Sequence, residues 1–258
     1  MASRYKAAFF DVDGTLVSFK THTMSTSTKR ALAAMRANGV TPVVCTGRLA
    51  AQVPPEVSAL IDDVIAINGQ YCVLGGEVVR SVPLDPDDVR AVVEQVDAGL
   101  YEVLVMLADR AYASADTPVV REIMERVHIH YPVDDVHLAL STPVYQLCAV
   151  VEPGREHLIL ERTRSIATTR WTDLFCDLVP RVGGKDYGVR AVLERMGIGP
   201  EEAIAFGDGE NDIPMFEACG TSVAMANAYP TVLDRASYVT TSVDDDGIWN
   251  AAVHFGLI

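Results

Sequence analysis

A chain of 258 residues, 49% hydrophobic and 22% charged, has an ordinary globular composition and suffices for one large domain or two modest ones. Acidic residues outnumber basic ones by 35 to 21, and the formal net charge of -14 argues against nucleic acid or an anionic membrane as partner. A phosphate-bearing ligand must then be drawn in by local positive charge, from a metal ion or a placed lysine.

The opening MASRYKAAFFDVDGT holds an apolar stretch too short for a signal peptide, and no run elsewhere reaches the ~18 apolar residues of a membrane span. Ala7–Phe10 reads as a buried parallel strand. Residues 25–38 read as a helix capped by Ser25 or Ser27 and stopped by Gly39. A second buried strand covers 43–45, with Pro42 confined to its start because proline has no N–H to donate. A third begins over 64–68, and Asn68-Gly69 marks a turn into Tyr71–Leu74 and 77–79.

From about Pro83 to Pro180 the rhythm changes: a helix at Pro86–Asp97, strands at 101–107 and 110–114, and a helix at Pro118–Val127. A strand at 144–151, a helix at 155–163 and two closing strands follow. Strand and helix then alternate again, with a helix at 186–196, a strand at 203–206, a helix at 211–218 and short apolar pieces at 222–224 and Tyr238–Val239. This order predicts an α/β fold: a Rossmann-like, doubly wound parallel sheet from residues 1–82 and 181–258, with an α+β module, 83–180, inserted into it. The five cysteines, Cys45, Cys72, Cys148, Cys176 and Cys219, are odd in number and form no CxxC pair. They read as buried thiols in a reducing compartment, which predicts a cytoplasmic protein.

Four short motifs follow predicted strands or open predicted helices. Asp11 and Asp13, in Asp11-Val12-Asp13-Gly14-Thr15, can both face the crevice outside the sheet's carboxyl edge, where open α/β sheets bind ligands. Gly14 permits a sharp turn and the Thr15 hydroxyl can hold a carboxylate; an isolated DxDG is often only a solvated turn. Cys45-Thr46-Gly47-Arg48 offers a hydroxyl and backbone N–H groups at a strand-to-helix turn, either a phosphate cradle or simply a capped helix start. Lys185, after Gly184, is a compact cation suited to phosphate oxygens, though most such lysines are only solvated. In Gly207-Asp208-Gly209-Glu210-Asn211-Asp212, Asp208 lies at a strand end and Asp212 one helical turn on. Mg²⁺ is a hard ion that takes one or two carboxylates and keeps several waters, and Asp11 with Asp208 supplies such a pair. A calcium loop would need further alternating acids and a closing glutamate.

Together and in this order, the four motifs make the chain resemble the haloacid dehalogenase superfamily, and within it the Cof-type phosphatases with a type IIB cap. Asn68-Gly69, Ala224-Met225-Ala226-Asn227-Ala228 and Asp244-Asp245-Asp246-Gly247-Ile248 fit the same pattern. Two positions depart from it: Asp186 stands where a glycine usually follows the lysine, with Gly188 nearby, and Ala226 replaces a common glycine. The resemblance implies a Mg²⁺-dependent phosphatase acting on small phosphate esters, such as sugar phosphates, through a phosphoaspartate. In that scheme Asp11 is the nucleophile and Asp13 the general acid and base. Thr46, Gly47, Lys185 and Asn211 bind the phosphoryl oxygens. The metal is held by Asp11, Asp208 and the backbone carbonyl of Asp13, while Asp212 orients Lys185 or a metal-bound water.

The resemblance further implies that the insert is a cap selecting the leaving group. It contains Arg110, Arg121, Arg126, His128, His130, His137 and Trp171, each of which can equally be ordinary surface or core; the three histidines lack the spacing of a metal site. Nothing in the chain calls for a macromolecular partner, and a monomer or weak homodimer is expected. Two alternatives remain. A receiver-type signalling domain also phosphorylates an aspartate beside Mg²⁺, but it lacks a second acid such as Asp13 and an insert of this size. A phosphomutase on the same scaffold would return the phosphate to another hydroxyl.

Overall fold

Every side chain of Ala7–Phe10 (β1) is buried, the pattern of a strand covered on both faces. The structure is a computed structural model describing residues 3–127, 129–170 and 172–258, and it divides into two units, Met1–Ser81 with Gly184–Ile258, and Val82–Gly183. In the first unit β1 leads to α1 (Thr26–Ala37), β2 (Thr41–Cys45), α2 (Pro55–Ser58), β3 (Val64–Ala66), β4 (Tyr71–Leu74) and β5 (Glu77–Ser81). The second unit holds α3 (Pro86–Asp97), β6 (Val103–Met106), β7 (Ala111–Ala113), α4 (Pro118–Val127), β8 (Gln146–Ala149), α5 (His157–Leu160), β9 (Ile166–Thr169) and β10 (Cys176–Pro180). The chain then returns to the first unit with α6 (Lys185–Met196), β11 (Ala203–Gly207), α7 (Ile213–Ala218), β12 (Thr221–Ala224), α8 (Pro230–Leu233), β13 (Tyr238–Val239) and α9 (Gly247–His254).

The first unit is an α/β domain around a sheet ordered β13-β12-β11-β1-β2-β3-β4-β5, parallel as far as β3 and antiparallel over β4 and β5. Alternation along the strands supplies two apolar faces. Ala7, Phe9, Val43, Cys45, Ile65 and Ala205 pack with Val189, Val192 and Leu193 of α6 and Met215 and Phe216 of α7. The alternate positions include Phe10 and Phe206, paired in register and stacked with centroids 4.7 Å apart. Helices α1 and α9 pack together, and α1 also packs on β2. Because β1 pairs with β2 on one side and β11 on the other, the chain reverses direction of winding there, and a crevice opens at the carboxyl ends of β1 and β11.

The second unit is an antiparallel sheet ordered β7-β6-β8-β10-β9. Val103, Val105, Leu147, Cys176 and Leu178 form its core with Val89, Val92 and Val93 of α3. No helix among the described residues is long and apolar enough to cross a membrane.

The structure corrects four local expectations. The strand expected to run through Asn68 stops at Ala66, because Ile67, Asn68 and Gly69 have φ of 51, 50 and 91°. Lys185 does not precede its helix but is its first residue, after Gly184 at the N-cap. The helix expected over 211–218 is a 3₁₀ turn, Glu210–Asp212, followed by α7; the Asp212 carboxylate reaches back to the N–H groups of Asp208 and Gly209 and tightens the turn. The helix expected over 155–163 is only α5, and the buried Thr163 hydroxyl bonds back to the Ile159 carbonyl at 3.0 Å.

Gly188 shows how closely α6 approaches the sheet. A Cβ there would lie 3.1 Å from Gly69 Cα and 3.2 Å from Cys72 Sγ, and would overlap the Ile65 side chain. Alanine would gain about 1 kcal/mol of helix propensity, but overpacking against backbone costs about 1–3 kcal/mol. Gly188→Ala is therefore expected to be net destabilising, with a lower urea midpoint than wild type; an unchanged or raised midpoint would mean that α6 can move away from the turn.

Candidate active site

The crevice brings together residues from four separated segments. Asp11 follows β1 directly and its N–H bonds to the Phe206 carbonyl of β11 at 3.0 Å. The chain then folds tightly, with the N–H groups of Leu16 and Val17 on the Val12 carbonyl and that of Gly14 on the Val17 carbonyl. Gly14 has φ 84°, and a Cβ there would collide with the Asp208 carboxylate, so the glycine serves both the turn and the close approach of the second acid.

Lys185 lies at the centre. Its side chain has no solvent exposure, and Nζ donates to Asp11 Oδ1 at 2.7 Å and Asp212 Oδ1 at 2.5 Å. Asp212 is also sealed, its Oδ2 accepting from the N–H groups of Asp208 and Gly209 at 2.9 Å each. Thr15 donates to Asp208 Oδ1 at 2.8 Å. Asn227 donates to the Gly14 carbonyl at 2.8 Å and accepts from the Val243 N–H at 2.9 Å, tying the loop after β12 to the loop after β1.

Burial sets the ionisation here. It raises the Asp11 carboxyl well above its ordinary value, with Lys185 opposing and the neighbouring acids Asp212 and Asp208 adding to the rise. It lifts Asp208 to about 7 against the hydrogen bond from Thr15. For Lys185 burial works against the charge, but Asp11 and Asp212 outweigh it and hold the ammonium protonated.

The carboxylates of Asp11, Asp208 and Asp212 offer oxygens that all lie within 4.8 Å of one another, the one such grouping among the described residues. Fully ionised, they set three negative charges against the single positive charge of Lys185, leaving a deficit of two. Hard oxygen donors short of two positive charges suit a divalent cation such as Mg²⁺.

The remaining motif residues lie around this centre. Thr46 is buried beyond β2 and its hydroxyl accepts from the Arg48 N–H at 3.1 Å, while Gly47 is half-buried beside Asn68. Asn211 is exposed and donates to Asn68 Oδ1 at 3.3 Å. The Asp13 side chain turns to Arg48, which grips it with Nε on Oδ2 at 2.7 Å and Nη2 on Oδ1 at 2.8 Å. Arg48, Asn68 and Asn227 stand within or beside the sequence motifs, but their contacts join loops distant in the chain and carry no local sequence signal.

In the second unit, Arg121 pairs with Asp116, and Arg126 with Glu122 and Thr172. His137 pairs with Asp135 and Asp97, while Arg110 and His130 are exposed. His128 and Trp171 lie outside the described residues.

Three carboxylates gathered about a buried lysine at the carboxyl edge of an α/β sheet make a candidate active site, and comparison with known proteins identifies its class. The sequence pattern of the haloacid dehalogenase-like hydrolases matches residues 8–251. YkrA of Bacillus subtilis strain 168, which carries a provisional phosphatase name, is 32% identical over 98% of both chains. BT1666 of Bacteroides thetaiotaomicron, described among the phosphatases of this superfamily, has a TM-score of 0.89 at 35% identity, covering 98% of this chain and 96% of its own. The subclass IIB sugar phosphatase BT4131 has a TM-score of 0.86 at 32% identity, covering 98% of this chain and all of its own. The chain belongs to the haloacid dehalogenase-like hydrolases, and within them to the subclass IIB phosphatases. Membership of this family sets aside the receiver-domain alternative.

Asp212→Asn tests the central network. It removes the charge opposite a buried ammonium and sets an amide N–H against either that ammonium or the two backbone donors. Breaking a buried pair costs about 3–5 kcal/mol, and a loss of that order in denaturant unfolding is expected. A loss below about 1 kcal/mol would mean that Lys185 is adequately held by Asp11 alone.

Proposed function

We propose that the protein is a Mg²⁺-dependent phosphatase of small phosphorylated metabolites, sugar phosphates foremost, that works through a phosphoaspartate on Asp11. The observation that carries this reading is the Asp11 carboxylate at the crevice, hydrogen-bonded to the buried Lys185 ammonium. An Asp11 oxygen attacks phosphorus, the bond to the leaving oxygen breaks, and Asp13 delivers a proton to that oxygen. Water then attacks the phosphoaspartate, Asp13 takes its proton, and phosphate leaves with Asp11 regenerated. Thr46, Gly47, Lys185 and Asn211 bind the phosphoryl oxygens, and Asp212 holds Lys185 in position. Asp11, Asp208 and the Asp13 carbonyl would hold Mg²⁺, which when bound neutralises phosphate charge and favours in-line attack.

The bidentate grip of Arg48 occupies both Asp13 oxygens, so Asp13 must leave that pair to reach the leaving oxygen. The unit Val82–Gly183 contains none of these residues, and we assign it the part of the cap that selects the leaving group. Sugar phosphates are favoured by the likeness to BT4131 at 32% identity. A cytoplasmic location suits four buried thiols, Cys45, Cys72, Cys148 and Cys176, with no disulfide among the described residues.

Asp11→Asn is expected to abolish phosphate release from a panel of sugar phosphates while leaving the circular dichroism spectrum unchanged, since an amide is not a competent nucleophile. Retention of more than about a few per cent of wild-type release would remove Asp11 from that role. A bisphosphate-activated phosphotransfer between sugar hydroxyls, in place of phosphate release, would make the protein a mutase.

The Asp208 carboxyl, lifted to about 7 in the metal-free protein, holds its proton below that pH and must lose it to bind a cation. The Mg²⁺ dissociation constant from titration calorimetry is therefore expected to rise as pH falls from about 8 to about 6, and a constant value would take Asp208 out of the metal site.

A further inference from the structure

The turn between β3 and β4 is held in an unusual conformation. Ile67 and Asn68 have φ of 51 and 50°, and Gly69 follows at 91°. Left-handed backbone is rare for a β-branched residue such as Ile67, here fully buried. Hydrogen bonds fix the turn to the loop after β2: the Ile67 N–H on the Arg48 carbonyl at 2.9 Å and the Asn68 N–H on the Thr46 carbonyl at 3.0 Å. The conformation thus persists because neighbouring structure enforces it, which directs attention to what it positions.

It positions the Asn68 side chain. The half-buried amide lies between Gly47, where a Cβ would come within 3.3 Å of both Asn68 Nδ2 and Oδ1, and Asn211, whose Nδ2 donates to Asn68 Oδ1 at 3.3 Å. With its oxygen accepting from Asn211, the amide has its Nδ2 donors to offer an incoming anion. A donor beside Thr46, Gly47 and Asn211 has the polarity that phosphoryl oxygens require.

We infer that Asn68 is a further phosphoryl-binding residue, holding Asn211 through Oδ1 and presenting Nδ2 to the anion beside the Thr46-Gly47 turn. This rests on the assignment of Thr46, Gly47 and Asn211 to the phosphoryl group. The simpler explanation is that asparagine tolerates left-handed backbone better than most residues and serves only the turn. Glycine separates the two, because it adopts this conformation without steric cost and carries no amide.

The test compares wild type with Asn68→Gly and Asn68→Asp, measuring thermal unfolding, kcat and KM for the best sugar phosphate, and calorimetric binding of inorganic phosphate in the presence of Mg²⁺. Asn68→Gly is expected to unfold at or above the wild-type temperature, yet to bind phosphate about tenfold or more weakly, as for one lost hydrogen bond to a charged group. Asn68→Asp, which sets a carboxylate against the anion, is expected to bind more weakly still. A folded Asn68→Gly protein with wild-type phosphate affinity and KM overturns the inference while leaving the phosphatase reading intact. If wild type itself neither hydrolyses phosphate esters nor binds phosphate, both fall together.

Discussion

An ammonium group sealed from water governs the arrangement of the first unit. Removing a lysine charge from solvent costs several kcal/mol unless opposite charge and hydrogen bonds replace the lost hydration. Asp11 and Asp212 replace it for Lys185, and each makes demands in turn. Asp212 needs the backbone of Asp208 and Gly209 to satisfy its second oxygen, so the turn after β11 tightens into 3₁₀ form before α7 begins. Asp208 is thereby brought against Gly14, where no side chain would fit, and Thr15 secures it. One buried charge thus ties together the ends of β1 and β11 and the start of α6, and the surplus of carboxylates it gathers invites a divalent cation.

Much of this was legible in the sequence because residue type and position carried the same message. Asp11 and Asp208 each follow a buried apolar strand, and β1 and β11 are neighbours in a parallel sheet, so both acids reach the same crevice. Lys185 was legible as a helix-start cation, but its burial was not: nothing local in Gly184-Lys185-Asp186 marks a side chain with no exposure, which depends on partners distant in the chain. Arg48 was visible as part of a motif, whereas its grip on Asp13 depends on how two loops meet. Asn68-Gly69 reads as an ordinary turn signal in the sequence, since left-handed φ at the preceding Ile67 runs against the preference of a β-branched residue. In the insert, the helices Pro86–Asp97 and Pro118–Val127 open with proline, which marks their starts in the sequence, and the expected bounds match the observed ones. The helix around α5 has no side-chain cap, and its shortening reflects a hydroxyl that bonds back to the chain.

The two departures from the family pattern have different structural settings. Asp186 sits in the first turn of α6, where a negative charge is favourable, and its carboxylate lies 3.9 Å from Arg190; neither bond of Lys185 goes to it. Gly188, two positions further on, supplies the small residue needed for α6 to reach the turn after β3. Ala226 precedes Asn227, whose amide bridges the Gly14 carbonyl and the Val243 N–H, and its own N–H reaches the Thr241 carbonyl at 3.4 Å.

The order of the strands also bears on how the chain is made. β1 lies at the middle of its sheet, yet one of its two neighbours, β11, begins at Ala203, after the whole of Val82–Gly183. A growing chain therefore presents one edge of a wholly apolar strand without its partner while that unit is translated, a wait of roughly 5–20 s at ordinary elongation rates. Val82–Gly183 is contiguous and has its own core, so it can fold as soon as it emerges. The nascent N-terminal segment, by contrast, resembles an unfinished sheet edge and is exposed to chaperones and to aggregation until β11, which ends at Gly207 of the 258 residues, has been made.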